Sequence, residues 1–263
     1  MIMLMVFMLS VLVTSAGFAK EKLEAANSKI TFEAKEITDQ KELIKRAKKG
    51  VIEGPTVPIQ KAKLTKDGKD FTEKNVKTFV TVQKLKEKEY INKEGKKIIT
   101  TTYKQDVISF VSLVDESEGG VMSEIGTLGL EDPNESYDDD GPDKTAKVRN
   151  TIYYNTISVG IETAYNFTKI TSKWDKLDSS ITWDNSYIGW NKHGTWYNSS
   201  GVKVGQGTLG NQEMVPSSGI PSIGVTYTLY TYSDEYVVPS TTSFSMYGQS
   251  MIKLYRGGLS VGL

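Results

Sequence analysis

The sequence predicts a mainly β protein, in which a small N-terminal α+β unit precedes a C-terminal antiparallel β-sandwich-like domain. The first observation is an ordinary globular composition, with 38% hydrophobic and 24% charged residues among 263, which suffices to bury a core. The second is one well-signalled helix near residue 40, followed by long segments rich in Val, Ile, Thr and Tyr. The third is the run of seven strand candidates after residue 143, a spacing typical of sandwiches and partly closed barrels.

Residues 1–19 have the pattern of a secretory signal peptide. An apolar stretch leads to small residues and then to charge. Gly17 and Ala19 stand at the two positions where signal peptidase needs small side chains, so we expect cleavage after Ala19, with cleavage after Ala16 as the second choice. The apolar stretch is shorter than the roughly 20 residues that span a bilayer. The predicted product is therefore secreted and extracellular, with no stable membrane span.

The small α+β unit is predicted over residues 20–114. A short alternating segment predicts a strand, and Asp39 and Glu42 have the capping-box spacing for a helix that ends at Gly50. Two long strand segments follow, joined by "NKEG" at 92–95, and they predict a hairpin. Because these strands are rich in both Thr and Lys, we expect one of their faces to be wet.

Residues 115–143 are predicted to be an acidic linker that ends in "NESYDDDGPDK". The alternative is a weak calcium site formed by Asp138, Asp140 and Asp143, because carboxylate oxygens are the ligands that Ca²⁺ prefers. An EF-hand is excluded, since Lys147 stands where position 12 of the loop requires a bidentate glutamate. No other cofactor is predicted.

The β-sandwich-like domain is predicted over residues 144–263. In "SIGVTYTLYT" apolar and polar positions alternate strictly, as in a half-buried strand. The segment "WNKHGTW" is predicted to form a hairpin turn at 191–194 between two strands. The only histidine, His193, is therefore interpreted as an exposed turn residue, because a catalytic base needs a carboxylate to orient it and a nucleophile beside it.

All four tryptophans fall within 23 residues of the β domain, which raises the question of a sugar-binding platform. Exposed Trp and Tyr rings on a β-sandwich can stack on sugar rings, so Trp190, Trp196 and Tyr197 are the candidate carbohydrate-binding residues. The competing interpretation is packing, in which Trp190 and Trp196 pair across the predicted hairpin. On sequence grounds packing is favoured.

Several classes of chemistry are disfavoured by composition. The chain has no cysteine, which removes disulfides, thiolate metal sites and cysteine nucleophiles, and one histidine rules out HExxH-type zinc sites. The esterase elbow, dinucleotide-binding and NTPase phosphate-loop motifs are absent. No catalytic residue is nominated. A formal net charge of +0 argues against a dedicated nucleic-acid binder.

The segment "FVTVQKLKEKEYINKEGKKIITTTY", the acidic linker, and then "KVRNTIYYNT…YNFTKITSKWDKLDSSITW" give the chain a recognisable order. This order resembles uncharacterised secreted β-rich proteins of Gram-positive bacteria, which end in a short strand near "IKLYRGG". The resemblance implies secretion and a β-rich fold. It implies no activity and no site residues.

The expected function is that of a secreted, non-enzymatic extracellular or cell-envelope-associated protein. The alternative is a carbohydrate-binding module or a carboxylate-dependent glycan-active protein, which needs neither His nor Cys. A weaker alternative is a toxin whose Ser/Thr-alternating strands form a pore. The expected partners are a cell-wall or other extracellular glycan, or a protein, and not a nucleic acid.

Overall fold

The fold is seen in a computed structural model that describes residues 28–57, 63–66, 69–70, 76–111, 146–177, 182–215, 225–231, 234–239, 246–256 and 259–262. The predicted signal peptide and acidic linker, with the calcium candidates Asp138, Asp140 and Asp143, lie outside the described residues. The described part is mainly β with one helix, which confirms the predicted fold class.

The described residues up to 159 form one helix and six strands: β1 (Lys29–Glu33), α1 (Gln40–Lys48), β2 (Lys63–Lys66), β3 (Lys69–Asp70), β4 (Val76–Ile91), β5 (Lys97–Val111) and β6 (Ala146–Val159). The described residues from 162 onward form seven strands: β7 (Glu162–Lys176), β8 (Thr182–Tyr197), β9 (Lys203–Val215), β10 (Val225–Tyr230), β11 (Tyr236–Pro239), β12 (Met246–Arg256) and β13 (Leu259–Gly262).

These strands form one hydrogen-bonded network in the order β1-β4-β5-β6-β7-β11-β8-β12-β13-β2-β3. In addition, β10 pairs with β7 and β9 pairs with β8. Every ladder between named strands is antiparallel. The β5–β6 ladder joins strands from both predicted domains in the same sheet. The domain boundaries at 114 and 144 stay a prediction.

The main core is built as in a sandwich, because β8 packs over the face of β6 and β7 although it is not their ladder neighbour. Ile188 and Trp190 of β8 share one buried cluster with Ile152 of β6 and with Phe167 and Trp174 of β7. Burying such side chains contributes about 1.5–3 kcal/mol each relative to leaving them in water. The short strand β11 pairs with both β7 and β8 and so links the two layers at one end.

Helix α1 begins and ends where the sequence predicts. The Asp39 carboxylate accepts a hydrogen bond from the Glu42 N–H at 2.9 Å, which satisfies one of the free donors of the first turn. Gly50, at φ 66°, follows the last turn in the left-handed conformation that glycine adopts easily. The buried face of the helix, with Leu43 and Ile44, packs against Phe79 and two other apolar side chains of the sheet.

Two turns share one construction, Asn-x-x-Gly. In the predicted turn between β4 and β5, the Asn92 side-chain oxygen accepts from the N–H groups of Glu94 and Lys96, and Gly95 has φ 75°. The turn between β8 and β9 repeats this pattern: Asn198 accepts from the N–H groups of Ser200 and Val202, and Gly201 also has φ 75°. The side chain of the asparagine therefore organises both turns.

The predicted turn at 191–194 is wrong. Strand β8 runs without a break through His193 to Tyr197, and the chain reverses only at Asn198–Gly201. The polar residues 191–194 can adopt the extended conformation of a strand because the surrounding strands supply hydrogen-bond partners for them. Lys192 is fully buried and its ammonium donates to Asn166 Oδ1 at 3.1 Å and to the Glu235 carbonyl at 3.0 Å.

Residues 34–57 wrap strand β4, which lies between β5 and the short edge strand β1, and are called the clasp below. The Gln83 amide donates to the Lys35 carbonyl at 2.7 Å and accepts from the Ile37 N–H at 3.0 Å. Gln105 binds the carbonyl and the N–H of Val57, both at 2.8 Å. Gln105 stands opposite Val82, the neighbour of Gln83. Because side chains alternate along a strand, the two glutamines point to opposite faces, so the clasp covers both faces of the sheet.

An ion network lies between the clasp and the sheet. Asp106 is buried, and its Oδ1 accepts from Arg149 Nε at 3.0 Å, from Arg149 Nη2 at 2.8 Å and from the Thr151 hydroxyl at 2.7 Å. The fully buried Lys104 ammonium lies 3.2 Å from Asp106 Oδ2 and 3.0 Å from Glu36 Oε1 of the clasp. The clasp is thereby attached to the sheet by paired, hydrogen-bonded charges.

Candidate functional site

A polar cleft lies where the start of β7, the end of β8, β9 and β11 meet. It has a volume of about 530 Å³ and is lined by Glu162, His193, Gly194, Thr195, Gln206, Gly207, Val238 and Pro239. Thr195 of β8 stands opposite Gln206 of β9 on one side and opposite Val238 of β11 on the other. Side chains directly opposite each other in a ladder share a face, so these three residues form the floor of the cleft.

His193 is held in the cleft by the neighbouring strand. Its Nδ1 lies 2.6 Å from the Thr208 hydroxyl, and the two residues stand directly opposite each other in the β8–β9 ladder. One ring nitrogen is thus engaged by Thr208. The imidazole is a strand side chain at the wall of a cleft, and the interpretation of His193 as a turn residue is wrong for the reason given above.

Lys192 positions the strands around the cleft. Its two acceptors belong to β7 and to the residue before β11, so the buried ammonium ties three strands together at the place where Val238 and Pro239 line the cleft. Burial lowers the pKa of Lys192 to about 8, and the nearby Glu235 and Asp234 carboxylates only partly oppose that effect. The ammonium also lies 5.5 Å from the centre of the Trp190 ring.

Of the three predicted carbohydrate-binding residues, Trp196 lies nearest the cleft. A Cβ built on the lining residue Gly207 would be 3.5 Å from Cζ2 of the indole ring. The ring therefore lies directly behind the cleft floor rather than in it. Its Nε1–H is buried and has no hydrogen-bond partner among the described residues.

The other two candidates belong to apolar clusters. Trp190 is 4% exposed and lies in the main core. Tyr197 packs beside a separate cluster that contains Ile98, Ile157 and Tyr236. The three rings are not brought together as one exposed platform. Carbohydrate binding by these residues stays a prediction.

The sequence did not point to Glu162, Gln206, Val238 and Pro239 as site residues. Glu162 is the first residue of β7, and the others lie on β9 and β11, so no two of these three strands are consecutive in the chain. One signal was available. The Asn-x-x-Gly motif at 198–201, identical in form to the predicted turn at 92–95, would have placed β8 and β9 side by side.

Neither a metal site nor a spanning helix is found in the part of the chain that the structure describes. Within those residues, no group of three or more His, Cys, Asp or Glu side chains is arranged to hold a metal ion. The one described helix, α1, is too short and too polar to cross a bilayer. The predicted calcium ligands lie outside this part of the chain, so calcium binding stays a prediction.

Comparison with known proteins gives no relative for this arrangement. No protein-family model, no curated protein and no solved structure matches the chain. The resemblance to secreted β-rich proteins of Gram-positive bacteria therefore stays a prediction, and the cleft has to be interpreted from its own chemistry.

Proposed function

We propose that the protein is a secreted, non-enzymatic binding protein of the cell envelope, and that the polar cleft holds a polyhydroxylated ligand such as an envelope glycan. Export rests on the signal-peptide pattern at the N-terminus. The observation that carries the ligand class is the lining of the cleft. Glu162, His193, Thr195 and Gln206 offer a carboxylate, an imidazole, a hydroxyl and an amide around one space.

These groups suit a ligand rich in hydroxyls. A carboxylate accepts hydrogen bonds, an amide both donates and accepts, and a threonine hydroxyl can do either. Sugar hydroxyls also do both. Val238 and Pro239 add a small apolar surface that can contact the C–H face of a sugar ring. An apolar ligand, by contrast, would leave these polar groups without partners, which is unfavourable.

Binding is favoured over hydrolysis of the glycan. Carboxylate-dependent glycosidases use two carboxyl groups that flank the scissile bond. Among the described residues that line the cleft, Glu162 is the one carboxylate. The cleft therefore supports the non-enzymatic alternative, in which the glycan is held and released unchanged.

The test is retention on purified peptidoglycan and on insoluble polysaccharides, with the bound fraction measured after sedimentation. We expect the wild-type protein to be retained on at least one of them and Gln206→Ala and Glu162→Gln to be retained less. Thr228→Ala is the matched control, because Thr228 is also an exposed polar residue on a strand with one ladder partner, β10, and it lies outside the cleft. It should bind like the wild type.

Trp196 provides a second readout, because its ring lies behind Gly207 on the cleft floor. Soluble fragments of the retained glycan should change its fluorescence, and the change should disappear in Trp196→Phe while retention persists. Absence of retention on every glycan, or equal retention of Gln206→Ala and wild type, would contradict the proposal.

A further inference from the structure

One end of the molecule gathers three hairpin turns, which together with the adjoining strand residues are here called the turn end: residues 91–97 of the β4–β5 hairpin, 159–162 of the β6–β7 hairpin and 198–204 of the β8–β9 hairpin. The first and third are joined directly. The Tyr90 hydroxyl donates to the Ser199 carbonyl, and the Asn92 amide donates to the Ser200 carbonyl at 3.3 Å. The second turn is close by, because a Cβ built on Gly201 would lie 3.6 Å from Val159 Cγ1.

The turn end carries an unusual share of exposed aliphatic side chains. Nine large hydrophobic residues of the described chain are exposed, and five of them lie on these turns or on the strand residues beside them: Ile91 (58%), Ile99 (39%), Ile161 (105%), Val202 (43%) and Val204 (54%). Scattered single apolar residues on a surface need no explanation, but a group that shares one end of the molecule indicates an interaction site.

Ile161 is the most exposed of these residues. It stands in a two-residue connection after Gly160, whose φ of 65° suits the first central position of a hairpin turn that favours glycine there. No neighbouring side chain shelters it, since its exposure equals that of the isolated residue. Of the five side chains, Ile161 therefore has the most apolar surface to remove from water, and its burial contributes the most free energy.

The turns are also rigid and basic. Side-chain caps by Asn92 and Asn198 fix two of them, so little conformational entropy is lost when they dock. The three segments contain four lysines, at 93, 96, 97 and 203, against two glutamates, at 94 and 162, a difference of two positive charges. Lys97 is paired with Glu89 at 2.6 Å, and the other three lysines are exposed.

We propose that the turn end docks on the surface of an anionic phospholipid bilayer, with Ile161 and its aliphatic neighbours in the interface and the lysines at the headgroups. Lipid is favoured over a protein partner, because Ile161 is fully exposed and a bilayer needs no complementary pocket to receive it. Lysines near an anionic surface add electrostatic attraction to the binding free energy, and burial of one isoleucine in the interface adds a hydrophobic contribution. This proposal goes beyond glycan binding and does not depend on the cleft.

The test is cosedimentation of the purified protein with large vesicles of phosphatidylcholine alone and of equal parts phosphatidylcholine and phosphatidylglycerol. We expect binding to the anionic vesicles and a loss of about tenfold or more in the partition coefficient for Ile161→Ser, since burying one isoleucine changes binding by that factor. Ile52→Ser is the matched control. Ile52 is 44% exposed but belongs to the clasp, and it should bind like the wild type.

Lys93→Gln combined with Lys96→Gln should weaken binding to anionic vesicles and make it less sensitive to salt. Entrapped dye should stay inside the vesicles, because docking of turns leaves the bilayer closed. Failure of the wild type to sediment with anionic vesicles, or equal sedimentation of Ile161→Ser and Ile52→Ser, would overturn the proposal, as would release of dye. Gln206→Ala should bind vesicles normally, so loss of lipid binding and loss of glycan binding are separable.

Discussion

Asp106→Asn should destabilise the protein strongly while changing its shape very little. The wild-type carboxylate is buried, receives three hydrogen bonds from Arg149 and Thr151 on one oxygen, and faces Lys104 across 3.2 Å with the other. Asparagine keeps one acceptor oxygen but removes the negative charge. The buried Lys104 then retains the carboxylate of Glu36, which is about one-third exposed and 3.0 Å away.

The magnitude follows from the cost of a buried charge that has lost its partner. Removing one member of a buried ion pair costs about 3–5 kcal/mol. Because Glu36 still faces Lys104, we expect the free energy of unfolding to fall by about 3 kcal/mol, at the lower end of that range. With the steep denaturant dependence of a chain of this size, the urea midpoint should drop by about 1 M.

The assay is urea unfolding followed by tryptophan emission, since Trp174 and Trp190 are buried in the core. Glu33→Gln is the matched control, because Glu33 is paired with Lys86 at 2.8 Å on the surface, where such pairs contribute little. Adding Lys104→Met to Asp106→Asn should restore part of the loss by removing the stranded cation. An unchanged midpoint for Asp106→Asn, or a double variant less stable than the single one, would refute the reasoning.

Three further predictions concern single residues. A Cβ on Gly54 would lie 2.2 Å from Tyr103 Cε1, so Gly54→Ala should lower the unfolding free energy by about 1–3 kcal/mol. The loss should shrink in a Tyr103→Ala background, which a double-mutant cycle of denaturation curves on the four proteins would measure. Burial places the pKa of Lys192 at about 8, below its usual 10.5. The unfolded chain therefore binds more protons than the folded one between about pH 8 and pH 10, and the stability due to this residue rises through that window. Thermal melts of Lys192→Met should show a flatter rise of the melting temperature with pH than those of the wild type. Asn92→Ala and Asn198→Ala each remove an acceptor for two backbone N–H groups. Calorimetry should therefore find that the free energy of unfolding falls by a similar amount, about 1 kcal/mol, in both. A fall in only one variant would contradict the shared construction of the two turns.

Features that depend on residues close in the sequence were predictable. The helix needs only Asp39 at its start and Gly50 after its end, and both act on atoms a few residues away. The β4–β5 hairpin likewise needs only its strand composition and the turn at Asn92–Gly95. In each case the local preference and the tertiary structure agree, which is why pattern and outcome coincide.

The β8–β9 region shows why the rest could not be predicted. The segment around His193 is as polar as a surface turn, yet it extends because Asn166, 26 residues earlier, and Glu235, 43 residues later, bind Lys192. Gly194 contributed to the mistaken turn. It stands opposite Gly207 in the ladder, and Trp196 packs close to that second glycine. No periodicity in a single strand reveals partners so distant in the sequence.

The cleft could not be predicted from the sequence for the same reason. Its lining combines the first residue of β7, two adjacent strands and a short strand near 238, which the sequence does not associate. The tryptophan cluster attracted attention because aromatic residues are conspicuous in a sequence. Burial of Trp190 in the core shows that such a concentration can arise from packing alone.

The clasp has a consequence for the order in which the chain acquires its structure. Its residues emerge from the ribosome early, but two of its contacts need residues that are synthesised much later. The Tyr153 hydroxyl, which binds Glu36, lies 117 residues further along the chain, and Arg149, which binds the Thr38 carbonyl, lies 111 residues further along. Gln83 and Gln105 can bind the clasp once β4 and β5 have been made, but the contacts of Glu36 with Tyr153 and of Thr38 with Arg149 need β6. Loop closure over such separations is slow compared with local hairpin formation. The clasp is synthesised early, and its full set of contacts is therefore complete only when more than half of the chain is available.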